Sequence, residues 1–89
     1  MKVEFDTVKD AKNILKHKIS LADAVGFEWV DARIEEDLRR PYPEKRFKAT
    51  GEIGSRLHEL VFCLRSGVVR VISLRKSNPR EVKRYANPD

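Results

Sequence analysis

Two apolar runs, Leu57–Leu64 and Val68–Arg75, are separated by the turn dipeptide Ser66-Gly67, and this arrangement commits the second half of the chain to a β-hairpin. With a two-residue loop, Arg65 pairs with Val68 and the numbers of paired residues sum to 133. One face of the hairpin then carries Leu60, Phe62, Leu64, Val69 and Val71, a continuous core face. The same face ends with His58 opposite Arg75, with Ser73 next to them. The other face mixes Val61, Cys63, Val68, Ile72 and Leu74 with Glu59 and Arg70. All of this depends on register, because a slip of one residue turns every side chain to the opposite face.

The segment after the hairpin has an unusually complete helix start. Asn78 suits the N-cap, Pro79 the first helical position, and Glu81 can reach back to the cap. The strand therefore delivers Arg75 and Lys76 to its exit, and Arg80, Lys83 and Arg84 follow on the helix. Cations on a rigid strand end, with more beside them on a helix, suit the gripping of phosphates. RNA is the first partner to consider.

The rest of the chain reads more coarsely. Lys2–Phe5 predicts a short strand, and Thr7 or Asp6 caps a helix with Val8, Ala11, Ile14 and Leu15 at helical spacing. Ser20 with Asp23 opens a second short helix through Leu21, Ala24 and Val25, ending near Gly26. Val30, Ala32 and Ile34 alternate with polar residues, as in a half-exposed strand. Pro41 and Pro43 bracket a turn at 39–44, Arg46–Thr50 predicts a strand, and Gly51–Arg56 a turn. The order is β-α-α-β-β-β-β-α. It implies an α+β domain: an antiparallel sheet of four to five strands, two N-terminal helices and one C-terminal helix.

Eighty-nine residues make one small domain, 1–89. Charge is uneven within it. Residues 1–44 carry 8 Lys/Arg against 10 Asp/Glu, a net of −2, and residues 45–89 carry 11 against 4, a net of +7, which sum to the overall +5. The C-terminal half thus builds a basic surface for nucleic acid or an acidic partner, unless it is only a solvated charged face. The single Cys63 permits no disulfide within the chain and fits a reducing compartment. The polar start MKVEFDTVKD does not resemble a signal peptide, and no apolar run approaches membrane-spanning length, so a cytoplasmic protein is expected.

The candidate chemistry is narrow. Two His and one Cys, with no clustered carboxylates in the basic half, are too few ligands for a zinc site or a two-metal nuclease, and no cofactor is expected. A Cys63–His58 pair fails because odd and even strand positions face opposite ways. RNA, however, carries its own nucleophile, the 2′-OH, so its cleavage needs only a base, a cation for the crowded phosphate and an acid for the leaving oxygen. His58, Arg70, Arg75 and Lys76 are the candidate catalytic set, and Arg46, Arg80, Lys83, Arg84 and Tyr85 the candidate RNA-binding residues. Each has a plainer reading: His58 as a strand residue, Arg70 as the partner of a carboxylate, Tyr85 as an anchor for the last helix. Lys16 and His17 either join the site or, as the plainer reading has it, complement the dipole of the first helix, and Phe27 and Trp29 belong to the core.

These residues carry a resemblance. The pattern Phe5-Asp6…Lys9…Asn13…Lys16-His17…Ile19-Ser20, then Arg46-Phe47 and Arg56-Leu57-His58…Val61-Phe62, resembles the BrnT family of bacterial toxins. So does the ending Arg70-Val71-Ile72-Ser73-Leu74-Arg75-Lys76…Arg80-Glu81…Arg84-Tyr85. Thr7, Cys63, Ser77 and Pro79 differ from the family's usual residues without touching the Arg/Lys/His set. The resemblance implies the toxin of a type II toxin–antitoxin pair, a metal-independent ribonuclease with a RelE-like fold that inhibits translation and growth. It also implies a BrnA-like DNA-binding antitoxin as partner, with DNA reached only through that antitoxin. A non-catalytic RNA- or ribosome-binding module stays open, as does a degenerate toxin acting as antitoxin partner and corepressor.

Overall fold

The computed structural model describes residues 2–87. Along the chain run β1 (Val3–Glu4), α1 (Thr7–His17), a 3-10 helix (Leu21–Gly26), β2 (Arg33–Glu36), β3 (Phe47–Ile53), β4 (Arg56–Arg65), β5 (Val68–Lys76) and α2 (Pro79–Ala86). The expected element order and α+β class hold. The sheet has five strands in the order β1-β5-β4-β3-β2, and it is mixed rather than antiparallel. Strands β2 to β5 pair antiparallel, whereas β1 pairs parallel with β5 through Val3 with Val69 and Glu4 with Arg70. Neighbours joined by short loops must run antiparallel, but β1 meets β5 from the far end of the chain, where no turn dictates direction.

The β4–β5 loop is the two-residue turn expected, with Ser66 and Gly67 at φ 51° and 76°, the left-handed pair that a type I′ turn requires. Pairing follows the predicted sum from Arg65 with Val68 to Phe62 with Val71, and then shifts. Beyond it Val61 pairs with Ser73, Leu60 with Leu74, Glu59 with Arg75 and His58 with Lys76. Ile72 is the extra residue of a β-bulge. Because the bulge absorbs one residue, Val71 and Leu74 both point into the core, and Leu74 leaves the open face to which alternation assigned it. Val30 is not in a strand: β2 begins at Arg33, after a turn. β3 extends through Ile53, into the segment expected to be a turn.

One face of the sheet holds the core. Leu21, Ala24 and Phe27 pack on Ala49, Leu60, Phe62, Val69, Val71 and Leu74, with Trp29 and Phe47 alongside. Phe27 and Phe62 meet Trp29 edge to face at centroid distances of 4.7 and 5.2 Å. The apolar positions of α1 are not its buried ones: Leu15 is 77% exposed, and Asn13 is the helix's buried residue. Asn13 docks the helix by hydrogen bonding instead. Its Nδ2 donates to the Leu74 and Ile19 carbonyls at 2.7 and 3.0 Å, and its Oδ1 accepts from Leu74 N at 3.3 Å. The two-residue β1 leaves β5 uncovered at this point, and Asn13 supplies the donor and acceptor that a longer strand would have offered. Asp6, with oxygen 2.7 Å from Val8 N, is the N-cap of α1. Asp10 accepts from Ser20 and from Leu21 N, fixing the start of the 3-10 helix.

Gly51, opposite His58 in the sheet, lies directly under the Phe27 ring; a Cβ there would sit 2.6 Å from Phe27 Cζ. Gly51→Ala is therefore expected to destabilise the fold by about 1–3 kcal/mol through overpacking. Chemical denaturation of the variant beside the parent protein measures it, and an unchanged midpoint would show that Phe27 yields freely.

Candidate active site

The face of the sheet opposite α1 and the 3-10 helix is polar, and α2 lies over part of it. Strand pairing sets its side chains in rows. Arg33, Thr50, Glu59 and Arg75 are successive partners across β2, β3, β4 and β5, and Glu35, Lys48, Val61 and Ser73 form the next row. Between these strands and the β2–β3 loop lies a groove of about 160 Å³ lined by Arg39, Arg46, Lys48 and Arg75, with Val61, Ile72 and Ser73 at its floor. Glu59 is the one carboxylate among the groove's lining residues.

Glu59 is 3% exposed and held by two hydroxyls. Thr50 Oγ1 donates to its Oε1 at 2.8 Å, and Ser77 Oγ donates to its Oε2. With both oxygens hydrogen bonded, this buried carboxylate is held in one orientation beside the cations of the groove. Sequence reasoning passed over Glu59, although its alternation with His58 already set it on the other face from that histidine.

Arg75 is tied to α2. Its Nη1 and Nη2 donate to the two Glu81 oxygens at 2.8 and 2.7 Å, a bidentate pair. Glu81 Oε1 also accepts from Asn78 N at 2.8 Å, while Asn78 Oδ1 accepts from Glu81 N, so the expected capping box is formed. One carboxylate thereby starts the helix and orients the arginine. The Arg75 hydrogen bond, more than the helix cap, lowers the Glu81 pKa to about 2.

The expected constellation does not meet on one face. His58 pairs with Lys76, not Arg75, and is 4% exposed on the core side. Its Nδ1 lies 2.8 Å from the Arg56 carbonyl, which can only accept, so Nδ1 carries the proton. Lys76 follows the same alternation and is exposed beside His58. Arg70 is opposite Cys63, toward the hairpin turn, and faces Glu4 at 3.5 Å. Of the RNA-binding set, Arg46 lines the groove, while Arg80 and Lys83 are exposed on α2. Arg84 pairs with Glu35 at 3.3 Å, and the Tyr85 hydroxyl donates to the Asp31 carbonyl at 2.6 Å, the anchoring role. His17, at the end of α1, has its pKa lowered chiefly by burial and then by Lys16 and Arg75, which opposes the helix-dipole role.

Among the described residues no group of three or more His, Cys, Asp or Glu could hold a metal ion, and no helix is long and apolar enough to cross a membrane.

The protein is a small basic α+β domain with a cation-lined groove and a fixed carboxylate on the open face of its sheet. The family model described as the ribonuclease toxin, BrnT, of type II toxin–antitoxin system matches residues 5–81, and the chain belongs to that family. No curated protein matches the chain. As members of a type II system, the family's toxins imply an antitoxin partner.

The Arg75–Glu81 pair has a pH signature. Glu81 has a depressed folded-state pKa, so its stabilisation is present above its ordinary value of 4.5 and is lost as pH falls toward 2. Allowing for partial exposure, the loss is roughly 1–2 kcal/mol. Glu81→Gln should flatten the stability curve over this range in urea titrations. An equally steep curve would show that other carboxylates carry the acid sensitivity.

Proposed function

We propose that this protein is a metal-independent endoribonuclease toxin whose active site is the groove between Arg75, Lys48, Arg46 and Arg39. The observation that carries the reading is Glu59, a fixed carboxylate sharing one groove with Arg39, Arg46, Lys48 and Arg75. In this mechanism Glu59 accepts the proton of the RNA 2′-OH, and the oxygen attacks the adjacent phosphorus. Arg75, exchanging Glu81 for a phosphate oxygen, stabilises the charge that builds on the phosphoryl group, and Lys48 and Arg46 share that load. The 5′-oxygen leaves with a proton from solvent or from a neighbouring cation, giving a 2′,3′-cyclic phosphate. DNA, without the 2′-OH, binds but is not cut.

In this reading Arg75 is the phosphate clamp. Arg70 serves as a peripheral phosphate contact, and His58 and Lys76 support the strand end from the other side of the sheet. Arg80 and Lys83, exposed and without ion pairs among the described residues, extend the basic surface over α2. In this reading the fold is RelE-like, cleavage in the cytoplasm inhibits translation and growth, and a BrnA-like antitoxin neutralises the toxin by covering the groove with acidic side chains. Complementary charge would speed that encounter.

With purified protein and a defined RNA, Arg75→Ala should lower the cleavage rate roughly 10²–10³-fold, as loss of one preorganised donor commonly does. Glu59→Gln should cost about 10²–10⁴-fold, as loss of a general base does. His58→Asn should leave the rate per folded molecule within a few-fold. EDTA should have no effect. Full activity in Glu59→Gln, or loss of activity with EDTA, would overturn the mechanism.

A further inference from the structure

The segment joining β2 to β3, residues 37–46, is built as a rigid arm. Asp37, whose side chain is 2% exposed, organises it. Its carboxylate accepts from Arg39 N at 3.2 Å, Arg39 Nε at 2.8 Å, Arg39 Nη2 at 2.7 Å and the Tyr42 hydroxyl at 3.4 Å. The arginine hydrogen bonds hold the Asp37 carboxyl far below the usual carboxylate range. Asp37 N closes the base of the arm on the Arg46 carbonyl at 2.6 Å, and Tyr42 N bonds to Arg40 O at 3.0 Å across Pro41. At its end the Arg46 guanidinium carbon lies 4.0 Å from the centroid of the Tyr42 ring.

This stack contributes nothing to the core, yet it is held by a buried charge and two prolines. It also sits at a junction. Arg46 lines both the phosphate groove and an adjoining cleft of about 70 Å³ that includes Tyr42 and Ile72. Arg39 bonds Asp37 through Nε and Nη2, leaving Nη1 outside that pair, and it also lines the groove.

We propose that the Tyr42–Arg46 stack is a nucleobase subsite, binding one base of the single-stranded RNA whose phosphate lies against Arg75. Asp37 is a positioning residue that sets the arm. The subsite rests on the reading of the groove as an RNA-cleaving site. A base entering the cleft extends the stack, since every base has a π face, and its flanking phosphates fall to Arg39 and Arg46. The arm thus chooses which phosphate reaches Arg75, and it discriminates by stacking strength rather than by base-edge hydrogen bonds.

The test uses the full chain and a set of 2′-O-methyl RNA oligonucleotides, which cannot be cut, each with 2-aminopurine at one position. Wild-type protein should quench one position on binding. Tyr42→Ala should remove that quench and weaken binding by roughly five- to a hundredfold, while Tyr42→Phe retains the quench. Asp37→Asn should reduce the quench amplitude at saturation, and Asp37→Glu should restore part of it, with circular dichroism reporting an intact fold. Arg75→Ala should weaken binding but leave the quench at saturation. Absence of a quenched position in the wild type, or the same quench in Tyr42→Ala, would overturn the subsite. Cleavage of unmodified RNA is scored separately. Cleavage with no quench removes the subsite alone, and quench with no cleavage removes the ribonuclease reading while leaving a base-binding site.

Discussion

Ile72 is the extra residue in β5, and its insertion decides which side of the sheet each charged group faces. In a regular ladder Arg75 would share a face with Val71 and lie across from His58. With the bulge, Val71 and Leu74 both enter the core while Ser73 and Arg75 turn to the open face. Bulges re-aim side chains in this way because two residues on one strand oppose one on its partner. Asn13 holds the far edge of the distorted strand by taking both backbone groups of Leu74. The core-side helix thereby fixes the geometry of the polar face behind it.

The open face is a balance of like and unlike charges. Arg39, Arg46, Lys48 and Arg75 gather in one groove, and such a cluster costs free energy unless acids relieve it. Asp37 relieves Arg39 and Glu81 relieves Arg75, each from outside the groove lining. Glu59 differs from them: its oxygens are engaged by Thr50 and Ser77 hydroxyls instead of a guanidinium. Glu59 is thus the one carboxylate of the groove lining, and no cation among the described residues is paired with it. α2 is joined to this face by the Glu81, Arg84 and Tyr85 contacts, and none of its residues is buried. The helix is therefore an adjunct of the site more than part of the core.

What could be read from residues alone was the local chemistry. The Ser66-Gly67 turn and the Asn78/Glu81 capping box each involve neighbours in sequence, and both formed as expected. The element order followed from alternation and breakers. The bulge was not legible, because neither Gly nor Pro marks Ile72. A single unmarked residue was enough to separate His58 from Arg75. The parallel β1–β5 pair joins the two ends of the chain, beyond the reach of any turn signal. The apolar residues of α1 misled for another reason: the helix docks through Asn13, a polar residue that periodicity discounts. Nothing in the local sequence marked Asp37 or Glu59 as acids that the fold buries. The family resemblance, carried by side chains spread along the chain, survived these local errors.

On this proposal RNA is handled on the bulged, open face of the sheet. The most direct measurement is backbone amide chemical-shift mapping of the protein titrated with a non-cleavable single-stranded RNA. Shifts are expected to concentrate at Lys48, Glu59, Ser73 and Arg75 and along the arm at 37–46, with α1 and the 3-10 helix unmoved. Shifts centred instead on His58, His17 and the exposed face of α1 would place the RNA on the other side of the sheet and contradict it.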